Sequence, residues 1–138
     1  RPMEGARHAL DALTAMKVRV CCVSNSDGRA ELHLETFGMR TGLEFVVDSQ
    51  IVGVEKPDPR IFHIALERLG VRPDRALYVG DIVCVDARGA SAAGMHCVLL
   101  DPMGDYAPAG VSAIAGIHQL PHFIAERFDV ATAGAESA

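Results

Sequence analysis

The chain has 138 residues, of which 49% are hydrophobic, and it carries a formal net charge of −5. This length suits one domain with a substantial core. The negative charge argues against nucleic acid as the main partner, because a nucleic-acid backbone needs a basic face on the protein. No apolar run approaches the ~20 residues that a membrane span requires, and the first residues lack the pattern of a signal peptide.

The four cysteines do not form a metal-binding or redox pattern, since none of them is spaced as Cys-x-x-Cys. Cys21 and Cys22 are neighbours on a predicted strand, so their side chains should point to opposite faces. We interpret these two, together with Cys84 and Cys97, as reduced core residues, which favours a cytoplasmic protein.

Helices and short apolar strands alternate along the chain. In chain order, the pattern predicts a helix over 5–17, a strand over 18–23, a helix that follows the 24–28 turn and ends at Phe37, a strand over 43–47, a helix from Asp58 to Gly70, a strand over 76–79, a helix over 85–93, a strand over 97–100 and a helix over 120–128. This alternation is typical of a parallel sheet with helices on both faces. We therefore predict one Rossmann-like α/β domain over residues 1–130 and a flexible tail over 131–138.

Polar residues follow the ends of two predicted strands. Ser24 and Asn25 come directly after the first strand, Asp81 follows the third, and Asp86 comes one helical turn later. Lys56 lies in the loop before the helix that starts at Asp58. Taken singly, such residues are more often helix caps or solvated surface groups. Ligands of parallel sheets bind beyond the carboxyl ends of the strands, so we expect these side chains to gather there.

Together these residue types indicate phosphoryl chemistry. Asp81 and Asp86 supply the hard oxygen ligands that Mg²⁺ prefers, and substrate phosphate supplies a further ligand. Lys56 would neutralise phosphate charge, and Ser24 with nearby backbone N–H groups would donate to the phosphate oxygens. The combination predicts a phosphoryl-transfer site that lacks a nucleophile.

Three segments resemble motifs of the haloacid dehalogenase superfamily. Residues 20–25 (VCCVSN) resemble its second motif, an apolar strand that ends in Ser or Thr. Residues 55–62 (EKPDPRIF) resemble the third motif, which carries a lysine, and residues 78–86 (YVGDIVCVD) resemble the fourth. The three motifs occur in the family's order, and the resemblance extends over residues 2–128.

The resemblance implies a role for each candidate residue. Ser24 and Asn25 would bind the transferring phosphoryl group, and Lys56 would steady the nucleophile and the phosphate. Asp81 would be the direct Mg²⁺ ligand, while Asp86 would support the metal through water or hold Lys56. Ser24, Lys56 and Asp86 are thus the expected catalytic residues in this chain.

The resemblance also implies an activity. Dehalogenases of the superfamily typically carry Ser-Asn where this chain has Gly80-Asp81, so a Mg²⁺-dependent phosphatase or phosphomutase is favoured. The expected substrate is a small phosphorylated metabolite.

One motif of the family is missing from the chain. The first motif, Asp-x-Asp-x-Thr/Val, carries the attacking aspartate and the general acid on the central strand of the family's sheet. Without that strand, the two strands that end at Ser24 and Gly80 would face a gap with exposed edges. We therefore expect an upstream segment of the same protein, or another chain, to fill the gap. The first residue is Arg1 rather than Met, so either an upstream segment has been removed or Met3 is the natural start. The first interpretation agrees with a truncated core, which would be inactive alone.

Two alternatives stay open. A chain that lacks the nucleophile by nature would be a non-catalytic binding or oligomerisation module that retains affinity for Mg²⁺ and phosphate. A dehalogenase-like hydrolase is disfavoured by the Gly80-Asp81 pair.

Overall fold

The computed structural model describes residues 2–104 and 112–128, so the predicted tail lies outside the described residues. The helices are α1 (Pro2–Ala15), α2 (Ala30–Thr36), α3 (Ser49–Val52), α4 (Pro59–Leu69), α5 (Arg88–Ala92) and α6 (Leu120–Arg127). The strands are β1 (Cys22–Ser24), β2 (Val46–Asp48), β3 (Leu77–Gly80), β4 (His96–Leu100) and β5 (Ala113–Ile114). A π-helical turn over Val83–Ala87 joins β3 to α5.

The described strands form two parallel sheets. β1 pairs with β2, with Ser24 opposite Asp48, and β4 lies between β3 and β5. Each pairing between these strands is parallel, which confirms the predicted α/β class. Within the described part of the chain, β1 and β3 each have one edge that no strand covers. These are the two strands between which we predict the gap.

Helices pack on both faces of the strands, as the alternation of side chains along β3 shows. Leu77 belongs to a core cluster with Leu13 of α1 and Ile124 of α6. The next residue, Tyr78, faces the other layer, and its ring contacts Phe62 of α4 edge to face at 4.9 Å between centroids. Successive residues of a strand point to opposite faces, so one strand serves both layers.

Helix α4 follows the Lys56 loop. It has the predicted boundaries because the residues that cap its two ends act on backbone groups close to them in sequence. The Asp58 side chain accepts a hydrogen bond from the N–H of Arg60, and Pro59 occupies the first turn. Gly70 ends the helix with a φ of 69°, a left-handed conformation that glycine adopts at little cost.

The 24–28 turn offers polar residues that could cap the second helix, but none of them does so. The helix starts at Ala30 without a side-chain cap from the 24–28 turn. Instead, the buried carboxylate of Asp48 accepts hydrogen bonds from the N–H groups of Gly28, Ala30 and Gln50. Burial would raise the pKa of Asp48, but these backbone hydrogen bonds outweigh it and hold the pKa below its usual value.

Several boundaries also differ from the prediction. The first strand runs over 22–24 instead of 18–23. β5 and α3 were not predicted, and the helix predicted over 85–93 is a π-helical turn followed by a short α-helix. All four cysteines are free, but Cys84 is exposed and the other three are half-buried, so their assignment to the core is wrong for Cys84. None of the described helices has the length and apolar character needed to cross a membrane.

Candidate active site

A buried ion pair between Lys56 and Asp86 forms the centre of the site. The Lys56 Nζ atom lies 2.9 Å from Oδ1 of Asp86, and the two side chains are only 12% and 3% exposed. The other oxygen, Oδ2, accepts hydrogen bonds from the backbone N–H groups of Asp81 at 2.9 Å and Ile82 at 3.1 Å. Both carboxylate oxygens of Asp86 are therefore occupied by donors.

These donors keep Asp86 ionised in spite of its burial. Burial alone would raise the pKa of Asp86, because it penalises the charged form. The hydrogen bonds from Lys56, Asp81 and Ile82 outweigh burial and lower the pKa below its ordinary value. Asp86 is thus an anion that holds both the Lys56 ammonium and the backbone of the loop after β3.

Gly80 allows this arrangement because the Asp86 carboxyl lies against its α-carbon. A Cβ atom on residue 80 would overlap the Asp86 side chain. The glycine of the Gly80-Asp81 pair is therefore required by a close approach, and any larger residue would displace the carboxylate that Lys56 binds.

Asn25 holds the main chain of Lys56. Its Oδ1 accepts a hydrogen bond from the Lys56 N–H at 2.8 Å, and its Nδ2 donates to the Lys56 carbonyl at 3.1 Å. The prediction for Asn25 named phosphate binding alone, and the structure adds this contact with the loop that carries the lysine.

Tyr78 is a site residue that the sequence analysis missed. Its hydroxyl accepts a hydrogen bond from Lys56 Nζ at 2.8 Å and donates to the Val23 carbonyl at 3.3 Å. Burial, together with the negative charge of Asp86, raises the pKa of Tyr78, so the phenol keeps the proton that it donates. The sequence feature that could have indicated Tyr78 is its polar hydroxyl inside an otherwise apolar strand, two positions before Gly80.

Ser24 and Asp81 lie at the carboxyl ends of β1 and β3, as predicted. The Ser24 side chain is half-buried, whereas Asp81 is exposed. Hydrogen bonds connect Asn25, Lys56, Asp86 and Asp81, while Ser24 joins this group through its chain neighbour Asn25.

The chemistry of the donors at the end of β3 fits Mg²⁺ with unequal roles for the two aspartates. Asp81 is an exposed residue, and a carboxylate is a ligand that Mg²⁺ takes together with several waters. Asp86 is already bound to Lys56 and to two backbone N–H groups, which suits a supporting role. Over residues 2–104 and 112–128, no group of three or more His, Cys, Asp or Glu side chains is arranged to hold a metal ion. Further ligands for Mg²⁺ would therefore come from groups other than a cluster of these side chains.

An apolar cavity of about 270 Å³ lies between the uncovered edges of β1 and β3. Val20 and Cys22 line it on the β1 side, and Leu77 and Val79 line it on the β3 side. This cavity runs between the two strands whose carboxyl ends carry Ser24 and Asp81.

Curated proteins with similar sequences are named as hydrolases and phosphatases. A mouse protein named haloacid dehalogenase-like hydrolase domain-containing protein 3 is 42% identical over 98 residues, which is 71% of this chain and 39% of that protein. A glyceraldehyde 3-phosphate phosphatase of Methanopyrus kandleri is 58% identical over 53 residues, which is 38% of this chain and 23% of that enzyme. The chain thus spans well under half the length of these relatives.

Solved structures share the fold. A HAD phosphatase from Thermococcus onnurineus matches 85% of this chain and 55% of its own, with a TM-score of 0.76 and 27% identity. A HAD family hydrolase from Deinococcus radiodurans, solved with bound phosphate and sodium, matches 89% of this chain and 58% of its own, with a TM-score of 0.77 and 29% identity. A 2-haloacid dehalogenase from Pseudomonas syringae matches 88% of this chain and 52% of its own, with a TM-score of 0.72 and 28% identity.

The family model of haloacid dehalogenase-like hydrolases matches residues 1–94, which contain all five predicted site residues. Because this match covers more than half of the sequence and the solved structures share its fold, the chain belongs to the haloacid dehalogenase-like hydrolases.

Proposed function

We propose that the intact protein is a Mg²⁺-dependent phosphatase that acts on a small phosphorylated metabolite. The observation that carries this proposal is the buried Lys56–Asp86 pair, whose carboxylate accepts a hydrogen bond from the backbone N–H of the exposed residue Asp81. A cation that is fixed by a buried anion is preorganised for a phosphoryl group. The phosphatase from Methanopyrus kandleri, at 58% identity over 53 residues, supports the same reaction class.

In this proposal the residues of the chain bind and orient the phosphoryl group. The Lys56 ammonium and the Ser24 hydroxyl donate to its oxygens, and Asn25 contributes through the loop that it holds and through its amide. Asp81 would hold Mg²⁺, and Asp86 would support that site by fixing Lys56 and the backbone of residues 81 and 82. When bound, Mg²⁺ neutralises phosphate charge and orients the substrate.

The attacking aspartate would come from a strand that fills the cavity between β1 and β3. We assign this strand to an upstream segment of the same protein or to another chain, so that the present residues alone would be inactive. Its aspartate oxygen would form a bond to phosphorus while the bond to the leaving oxygen breaks and that oxygen gains a proton. Water would then hydrolyse the phosphoaspartate. The apolar lining of the cavity and the uncovered edges of β1 and β3 support the placement of a further strand there.

The Gly80-Asp81 pair favours phosphate chemistry over dehalogenation. A dehalogenase from Pseudomonas syringae shares the fold at 28% identity, so the fold alone does not separate the two activities. By its resemblance to the fourth motif, the pair supplies a metal-binding carboxylate where dehalogenases typically carry Ser-Asn.

We also propose a reducing compartment, the cytoplasm, because all four cysteines are free. Burial and the neighbouring Cys22 raise the pKa of Cys21 to about 12, so this thiol stays protonated and behaves as a small hydrophobe. Fractionation of the native cells, with detection of the protein in each fraction, tests this assignment.

The test of the proposed activity uses the full-length protein from its native source. Its intact mass shows whether it extends beyond these 138 residues, and hydrolysis of p-nitrophenyl phosphate is measured with Mg²⁺ and with EDTA. We expect Mg²⁺-dependent turnover that Asp81→Asn abolishes and that Asp74→Asn, an exposed aspartate at the opposite end of β3, leaves intact. Absence of turnover together with a mass equal to that of this chain would support the non-catalytic module instead.

A further inference from the structure

The Lys56 ammonium has two oxygen acceptors on two different structural elements. Asp86 Oδ1 lies on the π-helical turn at 2.9 Å, and the Tyr78 hydroxyl lies on β3 at 2.8 Å. An ammonium group carries three N–H donors in a tetrahedral arrangement. With one acceptor the group would still rotate about that hydrogen bond, whereas two acceptors also fix the direction of the third N–H.

Tyr78 is itself held in place on two sides. Its ring packs edge to face against Phe62 at 4.9 Å, with an interplanar angle of 90°. Its hydroxyl donates to the Val23 carbonyl. The N–H of the preceding residue, Cys22, donates to the Phe45 carbonyl on the β2 side. Because successive residues of a strand direct their backbone groups to alternate sides, the Val23 carbonyl points away from β2. Since the phenol proton goes to Val23, an oxygen lone pair is left for the ammonium of Lys56.

We infer that Tyr78 is a positioning residue that aims the remaining N–H of Lys56 at the phosphoryl group. The inference rests on the proposed function, in which that group is the target of Lys56. Because Val23 precedes Ser24, the same hydroxyl links the strand that carries Ser24 to the ammonium. A fixed donor direction matters where charge develops in a site that is largely closed to water.

The competing explanation is that Tyr78 only fills space beside Phe62. Tyr78→Phe separates the two, because it keeps the ring and its edge-to-face contact and removes only the hydroxyl. Thr14→Val is the matched control, since the Thr14 hydroxyl also donates to a backbone carbonyl, that of Leu10 at 3.0 Å, in helix α1. Thermal unfolding of both variants checks that each is folded.

The first readout is independent of activity. In the full-length protein labelled with ¹⁵N-lysine, the side-chain ammonium signals are recorded by NMR, and the Lys56 signal is identified by its absence in Lys56→Arg. We expect a resolved Lys56 signal in the wild type and in Thr14→Val, and its loss through faster proton exchange in Tyr78→Phe. An unchanged Lys56 signal in Tyr78→Phe would overturn the inference.

The second readout is turnover of p-nitrophenyl phosphate. We expect Tyr78→Phe to lower kcat about tenfold, with a smaller effect on KM, because a misdirected donor is felt most in the transition state. In a Lys56→Ala background the same substitution should have no further effect. An equal loss in both backgrounds would show that Tyr78 acts independently of Lys56 and would overturn the inference. If the wild type has no turnover, the proposed function fails, and the NMR signal still decides the role of Tyr78.

Discussion

The carboxamide of Asn25 is hydrogen-bonded at both of its polar atoms to the main chain of Lys56, 31 residues further along the sequence. The end of β1 therefore holds the loop that delivers the lysine, while Asp86 and Tyr78 hold the ammonium at the tip of the same side chain. The backbone of Lys56 is thus held from the end of β1, and its ammonium is held from β3 and from the π-helical turn that follows it.

This pairing predicts an effect on the exchange of a single amide. In Asn25→Ala the Lys56 N–H loses its acceptor, so its hydrogen-exchange rate should rise about tenfold, which corresponds to one lost hydrogen bond. Asn25→Asp keeps an oxygen acceptor for the Lys56 N–H and should preserve its protection. Exchange is followed by NMR or mass spectrometry, and equal protection in Asn25→Ala and the wild type would contradict the assigned role.

Gly80→Ala should destabilise the protein, because the added Cβ would overlap the Asp86 carboxyl. We expect a loss of about 2 kcal/mol in the free energy of unfolding in urea, a typical cost of overpacking. Gly5→Ala is the control, since its Cβ would lie 3.8 Å from the nearest atom outside the helix, an ordinary contact. A Gly80→Ala variant as stable as Gly5→Ala would show that Asp86 relaxes without cost.

Lys56→Ala should lower stability as well as phosphate affinity, because it leaves the Asp86 carboxylate buried without its cation. We expect a loss of about 3 kcal/mol in the free energy of unfolding, since breaking a buried ion pair leaves an uncompensated charge. The exposed Arg60–Asp58 pair, in which the Arg60 side chain is 76% exposed, offers a matched control. Arg60→Ala should leave the free energy of unfolding close to that of the wild type, because solvent screens this pair. Similar losses in both variants, measured by urea unfolding, would contradict the importance of burial.

The lowered pKa of Asp48 predicts that the stability of the protein depends on pH. The pKa of Asp48 in the folded protein is lowered, so its contribution is present above the unfolded value of about 3.9 and is lost as the pH falls through the folded pKa. Asp48→Asn should lower the free energy of unfolding by about 2 kcal/mol at pH 7, because the Ala30 N–H loses the oxygen that accepts its hydrogen bond. Below about pH 4, the stability of the wild type should fall more steeply than that of Asp48→Asn. Parallel curves from chemical unfolding across this pH range would contradict the assignment.

The sequence by itself determined the elements whose signals are local. The Asp58 cap, Pro59 and Gly70 set the limits of α4, because each acts within a few residues of the backbone groups that it satisfies. The alternation of strands and helices predicted a parallel α/β fold, and the motif residues Ser24, Lys56 and Asp81 were recognisable by their type and their place after strands.

The tertiary structure alone decided which side chains hold which groups. Asp48 caps α2 from 18 residues away, and Tyr78 reaches the Val23 carbonyl across 55 residues. β5 is two residues long and pairs with β4, and so short a strand leaves no periodic signal in the sequence. Local spacing does not encode such contacts, because they depend on how strands and helices pack after the chain has folded. Lys56 could therefore be named from the sequence, and the family resemblance offered Asp86 as a candidate to hold it, while the Asn25 and Tyr78 contacts that also hold it emerge only from the packing.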